Sequence, residues 1–270
     1  MAAPPPAATH GATCYTLSAM TDPLDFSGKV VLVTGGTRNI GRAISDRFAA
    51  AGATVVAVGR KEPGDLGALR FVSCDVRDPD AVAAMVPSVV EEHGRLDVVV
   101  NNAGGSPPVA AAEATARFNE RIIALNLLAP MYVAQAANAV MQSQDAGGQI
   151  VNIGSISGMR PSPNTAAYGA AKAGLINLTK TLAMEWAPKV RVNMVTAGLV
   201  ETADTAEWYG EGDALARVHA TVPLGHMASP ADVADAVLAI ASPLCRHASG
   251  ANFVVDGGGE RPPYIEAAET

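Results

Sequence analysis

Cysteine is scarce in this chain. Cys14, Cys74 and Cys245 stand far apart, without the close pairs that a disulfide framework or a zinc site requires. A reducing, intracellular compartment is therefore expected, the cytoplasm first. The five histidines, His10, His93, His219, His226 and His247, show no metal-ligand spacing, so no metal is expected. Basic charge is short as well: 19 Lys and Arg face 26 Asp and Glu, for a net charge of -7. That balance neither neutralises a phosphate backbone nor seeks an anionic membrane, so no nucleic-acid or membrane partner is expected. The opening "MAAPPPAATHGATCYTLSAMTDP" lacks the basic start and unbroken apolar core of a signal peptide and reads as a flexible tail. No lysine follows a Walker-type turn, which sets ATP use aside. "GSISG" at 154–158 carries isoleucine where a hydrolase elbow needs serine.

Charge is also missing from one long run. Ile122 to Met141 contains no charged residue and approaches the length that spans a bilayer. Asn126, Pro130, Gln135 and Asn138 interrupt it, and no basic flank orients it, so the expectation is a helix buried between protein layers.

What is present suits one large core: 270 residues with 49% apolar content. Val/Ile-rich runs without polar alternation occur at 29–34, 54–59, 69–74, 96–101, 149–154, 190–195 and 251–256, as in strands covered on both faces. Helical patterns fall between them, near 40–51, 79–93, 113–142, 166–187, 203–220 and 230–241. Alternation of this kind predicts a single α/β domain over 27–258, with a doubly wound, seven-stranded parallel sheet and helices on both faces. Tails are expected at 1–26 and 259–270. Between the second and third strands "RKEPGDLGAL" is too short for a helical crossover, so that helix is expected to be absent or reduced to a turn.

In a doubly wound sheet the first strand–turn–helix carries phosphates on backbone N–H groups at the helix start. "VTGGTRNIG", Val33 to Gly41, stands there. Gly35 permits the tight turn, Gly41 lets helix and sheet approach, and Thr37, Arg38, Asn39 and Ile40 complete the cradle. Asn39 replaces a glycine. Asparagine tolerates positive φ better than other residues, and its amide is a donor available to a phosphate. At the end of the second strand, where a carboxylate would hold the ribose of NAD, stand Gly59 and Arg60. Arg38 and Arg60 would both reach a 2′-phosphate, which favours NADP(H) and leaves NAD(H) as the alternative.

Further along, Tyr168 and Lys172 lie four apart, on one face of a helix. An ammonium there would stabilise phenolate and draw the tyrosine pKa down from about 10, fitting it for general acid–base work. Ser155 closes the strand "QIVNIGS" on the same sheet edge, placed to orient a carbonyl. Singly, each has an ordinary structural reading; together, behind a glycine turn on the first strand, they are specific.

At these residues the chain resembles the short-chain dehydrogenase/reductase family, a Rossmann-type fold, over about residues 27–258. "TGGTRNIG" answers to its Thr-Gly-x-x-x-Gly-x-Gly turn, "NNAG" at 101–104 to its fourth-strand motif and "YGAAK" to Tyr-x-x-x-Lys. The resemblance implies hydride transfer at nicotinamide C4: Tyr168 moves the proton, Lys172 holds the ribose and lowers the phenol pKa, Ser155 binds the substrate oxygen and Asn126 positions a relay water. It implies further that Asp75 and Val76 hold adenine, that Asn102, Ala103 and Gly104 line the cofactor, and that Gly198, Val200 and Thr202 meet the nicotinamide end. Ala197-Gly198 stands where the family has Pro-Gly, which predicts a looser following loop.

Residues 199–227 fall at the family's substrate loop, with Trp208, Tyr209, Leu215 and Met227 as an expected apolar lid and "GGSPP" at 104–108 as a second wall. An apolar or ring-bearing alcohol or ketone, steroid-like or a 3-oxoacyl thioester, is the expected substrate. Apolar helix surface beyond what one sheet buries, with the resemblance, predicts a homotetramer. The alternatives are an NADP(H)-binding sensor or scaffold without turnover, and a dehydratase or epimerase on the same fold.

Overall fold

The computed structural model describes residues 22–262, with Tyr264 and Ala268. Cys14, His10 and nearly all of the expected N-terminal tail lie outside the described residues. Seven strands form one parallel sheet: β1 (Val30–Thr34), β2 (Thr54–Gly59), β3 (Arg70–Ser73), β4 (Val98–Asn101), β5 (Gly148–Ser155), β6 (Val190–Ala197) and β7 (Asn252–Val255), in the order β3-β2-β1-β4-β5-β6-β7. The direction of winding reverses between β1 and β4, where a crevice opens beyond the strand ends.

Strand alternation sorts β1 between two cores. Val30 and Leu32 face the layer of α2 (Pro79–His93), α4 (Ala129–Ser143) and α5 (Ala166–Glu185), against Met85, Val86, Val133, Met141 and Leu182. Val31 and Val33 face α1 (Asn39–Ala50) and α8 (Pro230–Ala241), against Ile44, Phe48, Val237 and Leu238. Both faces of the central strands are thus dry, which is why no polar alternation marks them in the sequence, whereas the edge strands β3 and β7 are partly exposed. Local signals fix the helix starts: Asp78 accepts from the backbone of Asp80 and Ala81 ahead of Pro79, and Ser229 and Asp232 form a capping box ahead of Pro230.

Two expectations hold and two are refined. Residues 60–69 cross from β2 to β3 without a helix, as the short spacing predicts. The 113–142 helix is in fact α3 (Ala116–Ile123), a π-helical turn at Ala124–Leu128, and α4. Pro130 has no N–H to return to the carbonyl of Asn126 four residues earlier, so the α-helical ladder must break there. The 203–220 segment divides into α6 (Thr205–Tyr209) and α7 (Asp213–Thr221), because Gly210 and Gly212 both take positive φ, 76° and 57°. The charge-free run is a core helix: its Ala129, Val133, Ala134, Ala137 and Met141 pack beneath the sheet.

Candidate active site

The carboxyl ends of β1 and β4 are stitched by Thr34. Its hydroxyl accepts from Asn102 N and Ala103 N, both at 3.0 Å, and donates to Val100 O at 3.4 Å. Asn102 replies with its side-chain amide, donating to Thr34 O at 3.0 Å and Gly35 O at 3.2 Å. Gly41 nests into this junction so closely that a Cβ there would stand 2.1 Å from Gly35 O and 2.4 Å from Asn102 Nδ2. Gly35 (φ 64°) and Asn39 (φ 47°) both take left-handed backbone. No side chain caps α1 and no acidic residue lies in its first turn, unlike α2 and α8. The first N–H groups of α1 are therefore left for an external anion, so the turn fits a dinucleotide diphosphate.

Around that turn the expected residues fall as follows. Arg38 and Arg60 are exposed, and neither enters an ion pair among the described residues. Thr37 faces the end of β2, its Oγ1 3.7 Å from where a Cβ on Gly59 would stand. Ile40 packs into the core, leaving only its backbone to the cradle. Asp75 is spanned by Arg77, which donates from Nε at 2.9 Å and from its backbone N at 3.1 Å, and this pairing holds the carboxyl near pKa 2. Val76 is buried beneath it. Asn39 departs from expectation: its amide donates to Asp204 Oδ2 at 2.7 Å, bridging to the loop after β6. On that loop Gly198 donates to Val255 O at 2.8 Å, Val200 bridges Ala228, and Thr202 N donates to Thr205 Oγ1 at 2.6 Å.

Ser155 ends β5 and Tyr168 and Lys172 lie on α5, and the structure brings all three together. The Ser155 hydroxyl accepts from Ser157 N at 3.2 Å and lies beside the Tyr168 phenol, near enough to act on its ionisation. Gly158 allows the turn after β5 to lie flat on α5, since a Cβ there would stand 2.7 Å from the backbone of Lys172 and Ala173. Lys172 is 3% exposed and donates to Ile153 O at 2.8 Å, with Nζ 5.7 Å from the centroid of the Tyr168 ring. Burial pulls this amine down to about 8.

The phenol behaves otherwise than expected. Burial pushes the Tyr168 pKa up, and the neighbouring Ser155 hydroxyl opposes that shift only in part. Lys172 gives its hydrogen bond to the Ile153 carbonyl and stands 5.7 Å from the ring centroid, and burial outweighs its attraction for the phenolate.

Asn126 is wholly buried in the π turn. It donates to Gly105 O at 3.0 Å and Ile122 O at 2.9 Å and accepts from Gly105 N at 2.9 Å, so its side chain pins the loop after β4. Gly104 passes between it and the lysine: a Cβ there would stand 2.8 Å from Asn126 Oδ1 and 3.4 Å from Lys172 Nζ.

One expectation about the walls needs correction. Met227 is 3% exposed and belongs to the packing, whereas Trp208 and Tyr209 are 48% and 38% exposed. The "GGSPP" turn contributes Ser106 to a cavity of about 340 Å³ lined also by Phe118 and Ile123 of α3, by Asn164, and by Ala167 and Ala170 of α5. Sequence reading missed Thr34, Gly158 and Asp204. The partner of Asn39 is 165 residues away and carried no local signal.

A family profile described as enoyl-(acyl carrier protein) reductase matches residues 35–260. The chain is 38% identical over 241 residues to an uncharacterized short-chain type dehydrogenase/reductase of Sinorhizobium fredii, covering 86% of this chain and 43% of that longer protein. It is 34% identical over 251 residues to the NADP-dependent (R)-specific alcohol dehydrogenase of Lentilactobacillus kefiri, covering 88% of this chain and 98% of the relative. Among solved structures, the ligand-free aldohexose dehydrogenase of Thermoplasma acidophilum matches with a TM-score of 0.81 at 31% identity, over 86% of this chain and 94% of that one.

The buried amine has a stability signature. Its folded pKa, about 8, lies below the ordinary 10.5, so between these values the unfolded chain holds the proton and the folded chain does not. The burial penalty is full below pH 8 and is relieved as pH rises. Chemical denaturation from pH 8 to 10 is expected to show the wild type gaining on Lys172→Met by roughly 1 kcal/mol per pH unit. A constant difference across that window would contradict the burial.

Proposed function

The chain belongs to the short-chain dehydrogenase/reductase family, and from that premise we propose that Ser155, Tyr168 and Lys172 interconvert a secondary alcohol and a ketone. The observation that carries the reading is the convergence of Ser155 and Tyr168 with a buried lysine whose Nζ lies 5.7 Å from the centroid of the phenol ring. In the reducing direction the Tyr168 hydroxyl donates its proton to the substrate oxygen, and in the oxidising direction the phenolate takes it back. Ser155 holds that oxygen, fixing the carbonyl against Tyr168. Lys172 keeps a cationic amine under the ring as phenolate develops, where low dielectric strengthens the attraction. Asn126 fixes the floor of the cleft through Gly105 and, in this reading, positions a relay water.

The family's dinucleotide supplies or accepts the hydride at its nicotinamide carbon. The glycine turn from Gly35 to Gly41 and the backbone of Asn102, Ala103 and Gly104 would hold it, with Asp75 and Val76 at adenine and Gly198, Val200 and Thr202 at the nicotinamide end. NADP(H) is favoured because Gly59 and Arg60 end β2 without a carboxylate, and exposed Arg38 and Arg60 stand free to pair with a 2′-phosphate. The NADP-dependent alcohol dehydrogenase among the relatives agrees. Trp208 and Tyr209, half out in solvent on α6, favour an apolar or ring-bearing substrate. Exposed Met184 on α5 and Phe253 on β7 are apolar surface suited to contacts between copies, which supports a homotetramer.

Two measurements test this. Tyr168→Phe is expected to lower kcat by about 10²- to 10⁴-fold across a panel of ketones while dinucleotide affinity stays within threefold or so. Binding without turnover by the wild type on every substrate would instead indicate a sensor. Arg60→Ala is expected to raise KM for NADPH by about tenfold and leave that for NADH nearly unchanged, since one charge-assisted contact is worth about 1.4 kcal/mol or more.

A further inference from the structure

We propose that Asp204 competes with the dinucleotide diphosphate for the Asn39 amide, so that the Asn39–Asp204 pair is a clasp setting cofactor affinity and tying the loop after β6 to it. The inference rests on the phosphate turn being a dinucleotide site, as in the proposed function. Asn39 is the first residue of α1, in left-handed backbone at φ 47°, on the one glycine-type position of the turn that this chain fills with a side chain. That side chain donates to Asp204 Oδ2 at 2.7 Å.

Asp204 stands at the N-cap of α6 yet makes no capping bond to its own helix; its carboxylate is turned to Asn39 instead. The turn that presents it is tightly knit. Thr202 N donates to Thr205 Oγ1 at 2.6 Å, Thr205 N donates to Thr202 O at 3.0 Å, and Thr205 is 4% exposed. Asp204 therefore cannot shift without carrying Thr202 and the start of α6 with it. A single hydrogen bond thus joins the diphosphate end of the cleft to the segment bearing Thr202.

The charges decide the sign. α1 begins with neither a side-chain cap nor an acid in its first turn, so its N-terminus favours an anion. The Asp204 carboxylate and a diphosphate at the same turn seek the same donor, the Asn39 amide. Binding must open or re-seat the clasp, and the apparent Kd is raised by the fraction of molecules in which it is shut. Opening it frees the loop that carries Trp208 and Tyr209.

Isothermal titration of the full chain with ADP-ribose, which has the diphosphate but no nicotinamide, and with NADPH tests this without turnover. Asp204→Ala is expected to lower both Kd values about three- to tenfold. In an Asn39→Gly background, where glycine accepts the positive φ without strain, the same substitution is expected to change nothing. Limited proteolysis within 202–212 is expected to quicken in Asp204→Ala and in wild type saturated with ADP-ribose. Unchanged or weaker binding by Asp204→Ala, or a gain that persists in the Asn39→Gly background, would overturn the clasp and leave the dinucleotide reading standing. A wild type that binds neither ligand would overturn both.

Discussion

A lysine amine removed from water, with one carbonyl as its hydrogen-bond partner, is the constraint around which the rest of the cleft is arranged. Lys172 is 3% exposed and reaches Ile153 O at 2.8 Å. Holding it there requires β5 and α5 to pack almost in contact, which the flat turn at Gly158 permits, and requires a loop without a side chain at Gly104. The same packing brings the Ser155 hydroxyl to the Tyr168 phenol. Desolvation leaves the amine at about 8, still largely charged at neutral pH yet held at a cost, while it drives the phenol the other way. A burial that destabilises both ionised groups singly is what makes their mutual attraction worth having once charge develops between them.

Behind the cleft a chain of buried amides keeps the strand ends in register. Asn101 donates to Asn152 Oδ1 at 2.9 Å and to Pro130 O at 3.1 Å, and Asn152 donates to Thr179 Oγ1 at 2.9 Å. These bonds join β4, β5, α4 and α5 in the dry core, so the helix carrying Tyr168 and Lys172 is tied to the strand carrying Ser155 at two depths. Polar groups so placed rigidify because leaving any one of them unpaired is costly.

Much of this was legible in the chain itself. Seven Val/Ile-rich runs gave the strands because parallel strands covered on both faces need no alternation, and the ten-residue gap after β2 announced the missing crossover helix. Tyr168 and Lys172 could be paired by helical spacing alone. What stayed hidden depends on distance or direction. Asn39 reads as a residue that tolerates positive φ, which it does, but its Asp204 partner arrives through the tertiary fold. Spacing places Lys172 beside Tyr168 without telling that the amine turns to Ile153. Met227 reads as lid material because apolar loop residues and apolar core residues look alike until a backbone encloses one of them. The π turn was readable after all, from a proline four residues beyond Asn126.

The bare crossing from β2 to β3 has a corollary. Residues 60–62 at its start are exposed and no helix lies over them, so exchanging a side chain at this rim disturbs no packing. In the proposed reading, where Arg60 meets a 2′-phosphate, the choice of soluble electron pool is mechanically uncoupled from the integrity of the interior.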